Sequence, residues 1–256
     1  MMMKVTILGC GSSGGVPLIG NNWGACNPSN PRNRRTRASI LVEKNGTSVL
    51  IDTPPDTRQQ LLSFNLKHLD AVLYTHAHAD HSHGIDELRS VNWLIQKPVD
   101  IYADPMTMGD LVNRFGYIFH GSTKGMFYTP AVIPHEVQGT FSIKNMSITP
   151  FFQNHGTIRT LGFRIGDFAY STDVHDFDNE ALEVLKGIRT WVLDCVRERE
   201  HPTHLNVEQA VAWINQVKPE QAFLTHMNHE TDYDTLSAKL PAHIRPAYDG
   251  LVIECS

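Results

Sequence analysis

A layered α/β fold, expected as one domain over residues 1–256, follows from three features of the sequence. Short apolar runs bounded by turn residues alternate with stretches of helical character along the chain. No internal repeat, low-complexity segment or flexible linker interrupts them. The composition, 41% hydrophobic and 19% charged with a mean hydropathy of −0.26, is that of a folded chain able to bury a sizeable core.

The elements are read in order. Val5–Leu8 is a strand ending in glycines. Ser39–Val42 and Ser48–Asp52 pair around Asn45-Gly46, a dipeptide suited to a tight hairpin. Asp56–Phe64 reads as helix and Leu69–Thr75 as a buried strand; helix Ile85–Leu94, strand Val99–Ala103 and helix Met106–Phe115 follow. Residues 116–140 are rich in Gly, Pro and aromatic side chains and are expected to form a loop over a site. Phe141–Phe152 and Leu161–Ser171 carry strands broken at Asn145 and Gly166. Helix Asn179–Leu185 and buried strand Thr190–Val196 come next. Asn206, with Gln209 three residues on, then caps a helix running to Val217. Strand Ala222–Thr225, helix Asp234–Leu240 and strand Leu251–Glu254 complete the chain.

Lys and Arg number 22 against 27 Asp and Glu, a net charge of −5, which argues against nucleic acid as the main partner. The four cysteines, Cys10, Cys26, Cys195 and Cys255, show no metal-type spacing and no disulfide framework, so a reducing compartment is expected. The apolar run near Met1 is too short for a signal peptide, and no stretch approaches the ~20 apolar residues of a membrane span. A cytoplasmic location with no membrane partner is the expectation. The anomaly is fourteen histidines, the commonest metal ligands.

Four chemistry-bearing residues stand together where Leu69–Thr75 ends, in His76-Ala-His78-Ala-Asp80-His81. In an extended segment residues i and i+2 project to one side, so His76 and His78 can chelate one metal; on a helix they would diverge by about 200°. Asp80 and His81 turn elsewhere and can hold a second. Imidazole with carboxylate suits zinc, manganese or iron better than magnesium or calcium. His83 reads as a surface or supporting residue. Further ligands should end other apolar strands, and His155, Asp173, His226 and Asp52 each do.

Asp52, the Thr75–His81 run, His155, Asp173 and His226 together resemble the five ordered motifs of the metallo-β-lactamase superfamily, over nearly the whole chain. The resemblance implies a four-layer αββα sandwich with two divalent metals at one edge of the sheets. It assigns His76, His78 and His155 to one metal, Asp80, His81 and His226 to the other, Asp173 as the bridge, and Asp52 as the residue orienting the histidine cluster. The form ending in His81 is similar to the phosphodiesterase, tRNA-processing and glyoxalase branches, and β-lactam hydrolysis is discounted.

The N-terminal loop narrows the branch. Gly9-Cys-Gly11-Ser12-Ser13-Gly14 has the spacing of a dinucleotide fingerprint, but no helix pattern follows, so that reading fails. The loop, with Ser12 and Ser13, can still offer backbone N–H groups to a phosphate. Arg32, Arg34, Arg35 and Arg37 follow, and Arg34 and Arg35 are expected to bind a phosphorylated substrate. Together with Trp23-Gly-Ala-Cys26, these features resemble the phosphoribosyl cyclic phosphate phosphodiesterases. Some members of that branch hold a structural zinc in this loop. Here one thiol, Cys26, with His229 cannot complete it, so that site is expected to be absent. His204, just before the Asn206 cap, resembles the proton-donating histidine of the branch, with His201 as the alternative. Catalysis is thus assigned to Asp80, His204 and Asp52.

The expected function is a binuclear metal-dependent phosphodiesterase in which a metal-bridging hydroxide attacks a small cyclic ribose phosphate or nucleotide-like phosphodiester. The alternatives are a tRNA 3′-processing nuclease, a carboxylic ester, thioester or lactone hydrolase and, ranked last, a non-catalytic cofactor-biosynthesis protein. A homodimer is left open.

Overall fold

The computed structural model describes residues 2–120 and 129–255. Strands β1 (Met3–Gly9), β2 (Ser39–Lys44), β3 (Thr47–Ile51), β4 (Ala71–Leu73), β5 (Val99–Ala103) and β6 (Val132–Glu136) form one sheet, closed on the β1 side by the last strand, β14 (Val252–Cys255). Strands β7 (Phe141–Ile143), β8 (Met146–His155), β9 (Ile158–Ile165), β10 (Phe168–Ser171), β11 (Thr190–Asp194), β12 (Gln221–Thr225) and β13 (Ile244–Pro246) form the other. Among the described residues each sheet has seven strands and carries helices on its outer face, which is the expected αββα sandwich.

The continuous apolar runs are explained by burial on both faces of each strand. Val49 and Ile51 of β3, and Ala71 and Leu73 of β4, face the core between the sheets. Leu50 and Val72, one residue out of phase, face the outer helices. Those are α1 (Thr57–Ser63), α3 (Leu88–Ile95) and α4 (Pro105–His120); the single turn α2 (Ala79–Ser82) lies between α1 and α3 in the chain. On the second sheet, α5 (Asn179–Leu185), α6 (Val207–Val217) and α7 (Tyr233–Lys239) contribute Leu185, Ile214 and Leu236 to the core. The Asn206 cap is a full capping box: Gln209 N–H donates to Asn206 Oδ1 (2.8 Å) and the Asn206 N–H to Gln209 Oε1 (3.0 Å).

Two strands were not legible. β6 lies inside the segment expected to be a loop, and β13 is only three residues long. β6 contains Pro134 and half-exposed side chains, which weakens a strand signal but is tolerated at a sheet edge. The helix expected over Met106–Phe115 continues to His120 past non-helical backbone at Phe115. The part of the expected lid over residues 121–128 lies outside the described residues.

The N-terminal loop is fixed by one buried arginine. The expectation that Arg35 binds substrate is corrected here. Its side chain is 2% exposed, and its guanidinium donates to the carbonyls of Asn228 (3.1 Å) and Thr231 (2.8 Å) and to Asn33 Oδ1 (3.2 Å). It clasps the loop to the segment that follows His226. Arg34 points the other way, exposed, with its guanidinium 5.0 Å from the Trp23 ring centroid. Replacing Arg35 orphans several buried acceptors at once. Arg35→Met should therefore lower unfolding free energy by about 3 kcal/mol, and Arg34→Met by no more than about 0.5 kcal/mol, measured by urea denaturation. Equal losses would show that Arg35 is not the clasp.

Candidate metal centre

Strand after strand ends at the same edge of the sandwich in a polar side chain. Asp52 follows β3, His76 follows β4, His155 ends β8, Asp173 follows β10, Asp194 ends β11 and His226 follows β12. Asp52, Asp173 and His226 have φ of 64°, 53° and 60°, in the left-handed region. Such backbone is uncommon outside glycine and marks sites where the chain must turn sharply to aim a side chain. Leu161 N–H donates to Thr75 O (2.8 Å), tying the two sheets together beside the site.

The His76–His81 turn is held rigidly. Ser82 Oγ donates to the carbonyls of Ala77 (3.1 Å) and His78 (2.8 Å), and Arg114 of α4 also bonds the Ala77 carbonyl. Thr53 N–H donates to His81 O (2.8 Å) and Gly84 N–H to Thr53 O (2.8 Å). A Cβ at Gly84 would lie 2.0 Å from Pro54 O, so this close approach requires glycine.

Asp173 is the centre of the arrangement. Its Oδ2 stands 3.6 Å from Nε2 of both His76 and His155. Its Oδ1 stands 3.0 Å from His81 Nε2 and 3.3 Å from His226 Nε2. Asp80 Oδ2 closes the second group, 3.6 Å from His81 Nε2 and 3.5 Å from His226 Nε2. Two sets result, His76, His78, His155 and Asp173, and Asp80, His81, Asp173 and His226; within each the nearest donor atoms lie within 4.8 Å of one another. The structure thus brings together all seven residues assigned as ligands.

The ring tautomers reveal what belongs between them. Thr75 Oγ1 donates to Asp52 Oδ2 (2.8 Å), so it accepts from His76 Nδ1–H (3.0 Å). His81 Nδ1–H bonds Asp52 Oδ2 (2.7 Å), and His155 Nδ1–H donates to Thr203 O (2.7 Å). With Nδ1 protonated, the neutral rings of His76 and His155 aim an Nε2 lone pair at the Asp173 carboxylate. Nε2 of His76, His81 and His226 is buried without a hydrogen-bond partner. Lone pairs facing a buried carboxylate repel unless a cation stands between them, so the donor set fits divalent metals.

The charges agree. His76 is held well below the ordinary imidazole range, by burial first and then by His81; burial also lowers His155. Both are therefore neutral at physiological pH, the form in which imidazole can bind a metal. Burial alone would raise Asp173, but His226 and His81 outweigh it and hold the carboxyl well below its usual range; Asp80 is lowered in the same way.

His204 lies beside this centre, its ring centroid 4.7 Å from that of His155 and 4.8 Å from that of His226. Its Nδ1 bonds Asp194 Oδ2 at 2.9 Å, and its Nε2 is 3.8 Å from Asp173 Oδ2. Sequence reasoning missed Asp194. The signal was present, since Thr190–Asp194 is another apolar strand ending in Asp, but the apolar Cys195 and Val196 hid the terminus. Ser12 is buried, with its N–H on Met227 O (3.2 Å), one residue from His226; Ser13 is exposed and its carbonyl accepts from Arg37 Nε (3.2 Å). Cys26 Sγ lies 3.4 Å from Thr231 O and 3.9 Å from Arg35 Nη1.

A family model described as a beta-lactamase superfamily domain matches residues 47–227, the span that holds every ligand above. The chain belongs to the metallo-β-lactamase superfamily. Within it, the chain is 34% identical to a diphosphatase of the PhnP family known from a crystal structure. That likeness covers 100% of this chain and 99% of the other with a TM-score of 0.92, and it places the chain in the PhnP family. An octanoyltransferase of Porphyromonas gingivalis is 35% identical over 97% of this chain and 51% of its own length. A ribonuclease Z of Clostridium kluyveri is 26% identical over 70% of this chain and 52% of its own. The chain spans about half the length of these curated relatives. Zinc-bound PqqB from Methylobacterium extorquens shares the fold, at 20% identity and a TM-score of 0.76 over 98% of this chain and 99% of that one.

The superfamily implies divalent metal cofactors, and the two residue groups are the candidates to hold them. Among the described residues no helix is long and apolar enough to cross a membrane. Asp52→Asn would set an amide N–H against His81 Nδ1–H and disturb the tautomer. Metal affinity should fall about 10- to 100-fold, read by competition with a chromophoric chelator; unchanged affinity would remove Asp52 from the support of the site.

Proposed function

We propose that this PhnP-family protein is a binuclear metal-dependent phosphodiesterase acting on a small cyclic ribose phosphate or nucleotide-like phosphodiester. The observation that carries the reading is the Asp194–His204 pair beside two ligand sets that share Asp173. Bound zinc or manganese, with iron as a further candidate, would supply Lewis acidity, activating water and offsetting charge on phosphoryl oxygens.

The chain's own residues supply the rest. Burial lowers the His204 pKa, but the Asp194 carboxylate outweighs it and pushes His204 up to about 9. The imidazolium therefore carries a proton at neutral pH. Asp194 holds Nδ1, which leaves the Nε2 proton for the departing ribose oxygen. Asp52 acts through His81 and the Thr75 hydroxyl, as a positioning residue. Arg34, exposed over Trp23, is an arginine of the loop placed to meet a phosphate.

Ribonuclease Z among the relatives keeps a tRNA-processing reading alive, against which the net charge of −5 weighs. The octanoyltransferase is a protein about twice as long, and this chain matches half of it.

Turnover of bis-p-nitrophenyl phosphate, a 2′,3′-cyclic nucleotide, a thioester and a lactone, each with Zn²⁺ and Mn²⁺, tests the reading. Phosphodiester turnover is expected, and activity confined to the thioester or lactone would overturn it. His204→Ala should slow cyclic nucleotide turnover by about 10²- to 10⁴-fold. Bis-p-nitrophenyl phosphate, whose phenolate leaves without protonation, should lose far less, and bound metal should stay unchanged. Unaltered turnover of both substrates would remove His204 from the mechanism.

A further inference from the structure

The segment between β11 and α6 is a closed excursion. Val196 N–H donates to Leu205 O (3.0 Å) and Val207 N–H to Arg197 O (3.0 Å), which zips its two ends together. Inside it, the backbone of Thr203 fixes two histidine rings with opposite polarity. Its carbonyl accepts from His155 Nδ1–H (2.7 Å), leaving His155 with an Nε2 lone pair for a metal. Its N–H donates to His201 Nδ1 (3.3 Å). A neutral ring that accepts at Nδ1 carries its proton on Nε2. His201 therefore presents a donor where His155 presents an acceptor.

His201 sits beside the reaction centre, its ring centroid 4.9 Å from that of His204, and it is half-buried. Arg197 is held nearby by the carbonyls of Arg199 (3.3 Å) and Glu200 (2.7 Å). Arg197 thus brings a positive charge to this rim beside His201. Burial, then His204 and Arg197, push His201 down to about 4, so it stays neutral at physiological pH. That state suits a hydrogen-bond donor and excludes a charged proton source.

We infer that His201 is a substrate-binding residue whose Nε2–H donates to an anionic oxygen of the substrate held beside His204. This assignment rests on the reading of the site as a phosphodiesterase and gives the second histidine a role distinct from proton donation. Arg197 favours the same anion by charge, and Thr203 couples the two jobs by orienting His155 for metal and His201 for substrate.

Two variants of the metal-loaded enzyme test it. His201→Phe keeps a ring but removes the donor; His201→Gln returns an N–H at comparable reach. On bis-p-nitrophenyl phosphate and a 2′,3′-cyclic nucleotide, Phe should raise KM about 10-fold or more while kcat stays within about 3-fold and Gln recovers most of the loss. Calorimetric titration with inorganic phosphate should show the same weakening. The titration needs no turnover, so a wild type that hydrolyses only thioesters sinks the phosphodiesterase reading while phosphate binding still decides for or against His201. Unchanged KM and phosphate affinity would overturn the assignment. So would a kcat loss confined to the cyclic nucleotide, which marks a proton donor, or loss of metal in both variants, which marks a support for His155.

Discussion

The carboxylate of Asp173, 2% exposed, stands within 3.0–3.8 Å of Nε2 of five histidines: His76, His81, His155, His204 and His226. A buried carboxylate of this kind is tolerated only when positive charge surrounds it, and a buried imidazole lone pair only when something occupies it. Cations between Asp173 and the rings satisfy both demands together. Metal binding and the stability of this edge are therefore linked: against the effect of burial, the acidic groups Asp173, Asp80 and Asp52 favour an extra proton on His81, and a metal at Nε2 would displace that proton while the Nδ1–H stays on Asp52.

A ring of groups that touch no metal makes the constraint work. Asp52 and the Thr75 hydroxyl hold His76 and His81, and the Thr203 carbonyl holds His155. Asp194 holds His204, and its free Oδ1 lies 3.6 Å from His226 Nδ1. The hydrogen bonds fix the tautomers of His76, His81, His155 and His204, so the directions of those Nε2 atoms are set before substrate arrives. The strained backbone at Asp52, Asp173 and His226 is consistent with this, because the chain must reverse at the strand end while the side chain keeps pointing into the site.

Loops supply what the strands cannot. Arg35 anchors the glycine loop against the segment after His226, which keeps Ser12 one residue from that ligand. The excursion from Arg197 to Leu205 brings Thr203, His201 and His204 over the edge from the second sheet. A strand edge that gathers the candidate metal ligands, with pinned loops around it, is a division that lets one fold serve many reactions.

Local pattern sufficed where chemistry follows from neighbours in the chain. The histidine turn after Leu69–Thr75, the Asn206 capping box and the strands that end in His or Asp are all short-range signals, and they delivered the fold class and the seven candidate ligands that the structure brings together. Signals that depend on packing were lost. β6 looked like loop because its edge position tolerates Pro134, and Asp194 was masked by apolar neighbours. The adjacent arginines Arg34 and Arg35 could not be told apart by composition. In extended backbone their side chains leave on opposite sides, one to solvent over Trp23 and one into the clasp. The sequence by itself determined which residue types could bind metal and on which strand ends. Only the tertiary structure decided which lone pairs converge on Asp173, which arginine is buried and which histidine donates. Those depend on hydrogen bonds across up to about two hundred residues of chain, Arg35 to Thr231 among them, and no local pattern encodes such distances.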